Sequence, residues 1–128
     1  MNRHVRLLAT VLLGVLLAGC GNSGSGSEQS GDAPAAADAD VTFVADDVVY
    51  NEAPRTVPAG QVTIGLVNEG STPHDVAIEE VGDEVIVTAQ GGQTATGQAE
   101  LEPGTYTYYC SIPGHRAAGM EGTFTVEG

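Results

Sequence analysis

From Val41 onward, β-branched and other apolar residues recur in short runs that alternate with polar ones and stop at turn formers. Val41–Val44, Asp47–Tyr50, Gln61–Asn68, His74–Glu80, Glu84–Ala89, Thr94–Leu101, Thr105–Cys110 and Gly122–Val126 each read as a strand, since a period of two places one face inward. Pro58-Ala59-Gly60, Gly91-Gly92 and Pro103-Gly104 separate them, with proline fixing φ and glycine freeing it. No stretch sustains the 3.6-residue apolar period of an amphipathic helix, so little helix is expected. About eight strands over residues 41–128 predict an all-β fold, a sandwich or a barrel. The pattern does not order the strands, and no internal repeat is visible.

Upstream of Val41 the texture differs. Gly21 to Asp40 contains no aliphatic residue larger than alanine. Such a segment cannot bury enough apolar surface to offset its ordering entropy, so a flexible linker is expected. At roughly 5–6 Å × √n it would span about 25 Å on average. Residues 1–19 carry Arg3 and Arg6, then an apolar run from Leu7 to Leu17 that is short for a membrane-spanning helix. A charged start, a short apolar middle and small residues before a cleavage point describe an export signal. Its ending, Leu17-Ala18-Gly19-Cys20, resembles a bacterial lipobox. That resemblance implies a lipid-modified Cys20 as the first residue of the mature chain, anchored on the extracytoplasmic face of a membrane. An ordinary signal peptide cut nearby is the alternative, and it exports the domain equally. The remaining part, residues 41–128, is expected to be one domain.

Composition narrows the partners. The chain has 128 residues, 17 of them Asp or Glu against 4 Lys plus Arg, for a formal net charge of −13. A balance so acidic argues against nucleic acid, whose binding needs a basic surface. It fits a basic protein partner, and equally a self-repelling, solvated surface. Outside the cytoplasm disulfides are permitted, yet with Cys20 lipidated only Cys110 remains, so no intrachain bridge is expected. No long apolar strand edge stands out, and a monomer is expected.

The chemistry gathers in Tyr108-Tyr109-Cys110-Ser111-Ile112-Pro113-Gly114-His115-Arg116-Ala117-Ala118-Gly119-Met120. A strand ends at Cys110, a loop presents His115, and the loop closes at Met120. His74 opens another strand 36 residues before Cys110. Thiolate, two imidazoles and a thioether form a soft nitrogen-and-sulfur set, which as a trigonal His₂Cys group with a weak axial Met is the ligation of blue-copper centres. Thiolate and thioether favour Cu(I) while imidazole suits both oxidation states. Taken singly, each residue has a plainer reading: a strand cysteine is a small buried hydrophobe, a histidine after Pro-Gly a polar loop residue, a methionine core filler. The census weighs against coincidence. Once Met1 and His4 leave with the signal, two histidines, one methionine and one unlipidated cysteine remain, and all four belong to this set.

Leu101 to Val126 resembles the C-terminal copper loop of the cupredoxins, the plastocyanin and azurin family, and Asn68 to Ile78 resembles their first-histidine segment. The resemblance implies a Greek-key β-sandwich with one copper ion at one end. It implies His74, Cys110 and His115 as planar ligands and Met120 as the axial one, with the Pro73 carbonyl facing the ion opposite Met120. It also implies a hydrogen bond between Asp75, where many relatives carry Asn, and the hydroxyl of Ser111. The Cys-x4-His-x4-Met spacing is longer than that of plastocyanins and is similar to that of rusticyanin and auracyanin. The function implied is one-electron transport between redox proteins such as a cytochrome, an oxidase or a reductase. His115 would serve as the electron port amid Pro113, Gly114, Ala117, Ala118 and Gly119. The alternative is a copper carrier or storage protein of the cell envelope, though Met120 is the sole thioether such a carrier would have. An enzyme is not expected, because both mature histidines are already used. Zinc also suits such a site, and a purely adhesive sandwich would bind no metal.

Overall fold

The computed structural model describes residues 38–128. The expected export signal, Cys20 and most of the linker lie outside the described residues. Nine strands follow in order: β1 (Val41–Asp46), β2 (Val49–Glu52), β3 (Thr56–Pro58), β4 (Gly60–Asn68), β5 (His74–Ile78), β6 (Glu84–Ala89), β7 (Thr94–Leu101), β8 (Gly104–Tyr109) and β9 (Glu121–Glu127). The only helical pieces among the described residues are two 3₁₀ turns, Glu79–Val81 and Arg116–Ala118. The strands form a four-stranded sheet, β2-β1-β4-β7, and a five-stranded sheet, β3-β9-β8-β5-β6. Together they make the all-β sandwich that the alternating pattern predicts.

Alternation explains how the sheets meet. On β4, Val62, Ile64 and Leu66 point inward, and on β9 Phe124 and Val126 do the same. All five are at most 2 % exposed, and burying a side chain of this size contributes about 1.5–3 kcal/mol. Aromatic rings fill the middle. Phe43 meets Tyr108 edge-on at 4.9 Å between centroids, and Tyr50 packs against both. Tyr108 and Tyr106 share a face of β8, two residues apart, and each lies nearly parallel to Phe124 on β9. Continuing that alternation places Cys110 on the same inward face.

Several element boundaries differ from the sequence expectation, each for a local reason. The second strand begins at Val49, not Asp47. The β1–β2 register pairs Asp46 with Val49, so Asp47 and Val48 must make the turn. The Asp46 carboxylate accepts the Asp47 N–H at 2.7 Å there, and Val48 takes a left-handed φ of 57°. β5 stops at Ile78, because Glu79–Val81 coils into a 3₁₀ turn. The Glu80 carboxylate then accepts the Thr107 N–H at 2.7 Å. β3 has no counterpart in the expected set. It is three residues long and ends in Pro58, and it exists through parallel pairing with the distant β9; a proline is tolerated in such an edge strand. Asp40, placed in the linker by composition, is already bound to β4: its N–H donates to the Thr63 carbonyl, and its carboxylate accepts the Thr63 N–H.

The C-terminal ends of β4 and β8 and the N-terminal ends of β5 and β9 come together at one end of the sandwich. That end carries His74, Cys110 and Met120. At the side of the sandwich, β6 and β7 cross closely. A Cβ on Gly97 would lie 1.9 Å from the Ile86 carbonyl oxygen, which is backbone and cannot swing away. Gly97→Ala is therefore expected to destabilise the protein by about 2 kcal/mol or more, read as a fall in the urea midpoint. A midpoint equal to that of the wild type would show that this crossing can open without cost.

Candidate metal centre

Three donors converge at that end of the sandwich. Cys110 Sγ lies 4.0 Å from His74 Nδ1 and 3.5 Å from His115 Nδ1, and all three atoms fall within 4.8 Å of one another. A metal–sulfur bond of about 2.3 Å and a metal–nitrogen bond of about 2.0–2.1 Å, at 120°, would separate the two atoms by about 3.8 Å. The observed spans bracket that value. The donor set therefore fits a single ion held between one sulfur and two ring nitrogens.

Each donor is delivered by a different local device. His74 is the first residue of β5 and is fully buried. Its Nε2 lies 3.4 Å from Thr72 Oγ1, so an Nε2–H directed at that hydroxyl leaves the Nδ1 lone pair for a metal. Burial, and then the neighbouring His115, hold its pKa below the usual histidine value. A shift in that direction favours the neutral imidazole, the form that ligates. Cys110 follows β8 and is also fully buried. Burial, the largest influence, raises its thiol pKa, so uptake of a metal must displace a proton.

The loop between Cys110 and Met120 is tied at its base and in its middle. The Cys110 N–H donates to the Met120 carbonyl at 3.0 Å, and the Met120 N–H donates to the His115 carbonyl at 3.1 Å. His115 precedes the second 3₁₀ turn, whose end is closed by Gly119 at φ 105°, a conformation costly for any residue with a Cβ. Met120 is fully buried, brought beside Cys110 by the bond at the loop base. His115 alone among the four is partly exposed.

Residues around the donors hold these segments in register. The Asp75 carboxylate accepts the Ser111 N–H at 2.6 Å and the Ser111 hydroxyl at 2.5 Å. It thereby joins the residue after one ligand to the residue after another. Pro73, beside His74, is exposed. Outside the cluster, the Arg116 guanidinium lies 4.2 Å over the Tyr109 ring. It pairs with Glu79 at 2.6 Å and Glu121 at 2.8 Å, while the Tyr109 hydroxyl donates to Asp83 at 2.9 Å. These exposed pairs each contribute little alone, but together they fasten the loop to the turn after β5 and to the start of β9.

Two supporting residues escape sequence reasoning. Asn68, at the end of β4, is 2 % exposed. Its amide donates to the Thr72 and Ala89 carbonyls at 2.7 and 3.0 Å, and its oxygen accepts the Gly70 N–H at 3.0 Å. It shapes the turn that carries His74. The one available signal was an asparagine ending an apolar strand just before Glu-Gly. Tyr50 on β2 donates its hydroxyl to the Asp75 carbonyl, a contact across the sandwich that no local pattern announces.

A family model described as the cupredoxin-like domain matches residues 9–126. The chain belongs to the cupredoxins. As a cupredoxin, it has His74, Cys110, His115 and Met120 arranged as a copper site suited to one ion. It is similar to a plastocyanin of a Synechococcus species, 32 % identical over 109 residues, covering 74 % of this chain and 78 % of that protein. A plastocyanin of Nostoc punctiforme is 32 % identical over 80 residues, covering 52 % and 56 %. Among solved structures, auracyanin B superposes with a TM-score of 0.58 at 22 % identity, covering 69 % of this chain and 88 % of that one. A reduced auracyanin from Roseiflexus castenholzii gives 0.56 at 23 %, covering 68 % and 95 %. Both structural likenesses concern the fold.

The buried amide leads to a stability prediction for this cupredoxin. Asn68→Ala strips three hydrogen bonds and leaves buried backbone groups unpaired, at a cost of about 2–4 kcal/mol. Chemical denaturation of the metal-free protein measures it; a loss below about 1 kcal/mol would mean that water replaces the amide.

Proposed function

We propose that this cupredoxin is an extracytoplasmic one-electron carrier, held at a membrane by a lipid on Cys20 and a linker up to Asp40. The observation that carries the reading is the division among the donors. His74, Cys110 and Met120 are each 0 % exposed, and only His115 reaches the surface. In this reading His74, Cys110, His115 and Met120 would together hold the ion. A bound copper ion supplies the redox chemistry by alternating between Cu(II) and Cu(I). Buried, cross-tied donors keep one geometry through that change, and the same burial weighs against a carrier that must release its metal.

His115 is the port by which electrons enter and leave. Around it Pro113, Gly114, Ala117, Ala118 and Gly119 are exposed and small, a surface suited to brief encounters in which fast release matters more than affinity. The partners are other redox proteins, a cytochrome, an oxidase or a reductase. The acidic surface steers those that are basic, more strongly at low salt. In this reading the Pro73 carbonyl would face the ion, and Asp75 and Ser111 keep the two ligand segments together.

Titrating the copper-free chain from Gly21 onward with Cu(II) should give intense visible absorption that saturates at one ion per chain. Cys110→Ser should bind without that colour, since the thiolate is its source. A colourless wild-type protein would end the proposal. His115→Gly should restore access to added imidazole and slow electron self-exchange by about tenfold or more, the scale on which small displacements at a reacting centre act; exchange at the wild-type rate would show that the port lies elsewhere.

A further inference from the structure

Asp75 is 3 % exposed, and both of its oxygens are taken by one neutral residue, the N–H and hydroxyl of Ser111. Among the described residues the ion pairs are those of Arg116 with Glu79 and Glu121, and none reaches this carboxylate. A carboxylate withdrawn from water without a cation is costly, and hydrogen bonds from a neutral donor do not cancel its charge. Asp75 directly follows His74 in the chain and grips the residue that directly follows Cys110. The place nearest to hand for a compensating positive charge is the donor cluster itself.

We propose that Asp75 is the built-in counter-charge of the copper site, favouring Cu(II) over Cu(I) and so lowering the reduction potential. This inference rests on the copper reading above. The charge balance makes the effect directional. Neutral histidines and methionine contribute nothing, so Cu(II) with the Cys110 thiolate and the Asp75 carboxylate sums to zero. One electron from a redox partner takes the buried group to −1. With an uncharged amide in place of the carboxylate, the same electron takes it from +1 to zero. Burying net charge is unfavourable, so the carboxylate opposes reduction and the amide assists it. A unit charge within the same buried cluster, at an effective permittivity of about 20, shifts such an equilibrium by about tenfold or more.

Asparagine has the shape to keep the contact to Ser111, accepting its N–H and donating to its hydroxyl. In the copper-loaded full chain, Asp75→Asn should lower the ratio of Cu(II) to Cu(I) affinity by about tenfold or more. That corresponds to a potential higher by about 59 mV or more for a one-electron couple. Ser111→Ala keeps the charge and removes one hydrogen bond, and should leave the potential nearly unmoved or lower it. Cu(II) should also raise the melting temperature of Asp75→Asn less than that of the wild type. Should Asp75→Asn fail to fold, Asp75→Ser carries the same expectation. An unchanged or lower potential in the uncharged variant overturns the proposal, as does an equal rise in Ser111→Ala. A wild-type protein that never colours with Cu(II) overturns the copper reading itself, whereas a coloured pair with equal potentials overturns the role of Asp75 alone.

Discussion

The backbone hydrogen bond from Cys110 to the Met120 carbonyl extends the β8–β9 ladder by one step beyond the Tyr109–Glu121 pair. Because of it, the segment bearing three of the four donors is the tip of a hairpin and not a free loop. The stem of that hairpin is pinned in the core by Tyr106, Tyr108 and Phe124, whose rings lie nearly parallel. Sheet packing thus decides where the sulfur and the thioether stand. His74 comes from β5, the neighbour of β8 in the same sheet, and the Asp75–Ser111 contact fixes its height relative to Cys110. The site is consequently as rigid as the sandwich beneath it.

The parts visible in the sequence are those governed by local periodicity and by rare side chains. β4, β6 and β7 lie within a residue of their expected spans, because each alternates cleanly and ends at a turn former. The convergence of His74, Cys110 and His115 was legible because residues 21–128 hold so few soft donors that all of them point to one chemistry. What stayed hidden depends on long-range pairing or on a single polar group. β3 exists through β9, sixty-odd residues away in the chain. Asn68 acts through three backbone groups on two different segments, and Tyr50 reaches Asp75 from the opposite sheet. A strand-end asparagine or a half-buried tyrosine has many uses, so neither announces its own.

Charge is distributed to match this division. The surface is acidic overall, yet Arg116, which immediately follows the exposed ligand His115, is held by two carboxylates and lies over Tyr109. Positive charge is therefore placed and neutralised beside the ligand loop, leaving a rim of small apolar residues next to a field that is negative elsewhere. For the proposed carrier, such a surface would let electrostatic attraction act at long range while the contact itself stays weak, separating the rate of encounter from the duration of binding.

The close crossing of β6 and β7 has a further result. Each is the terminal strand of its sheet, and at Gly97 and Ile86 their backbones nearly touch, so neither border is open for recruiting a foreign strand there. The borders left on the other side are β2, four residues long, and β3, three residues ending in proline. Short and proline-blunted borders are poor templates for intermolecular β-pairing. Copies of this sandwich are accordingly guarded against strand-to-strand aggregation by the architecture itself, without help from any side chain devoted to copper.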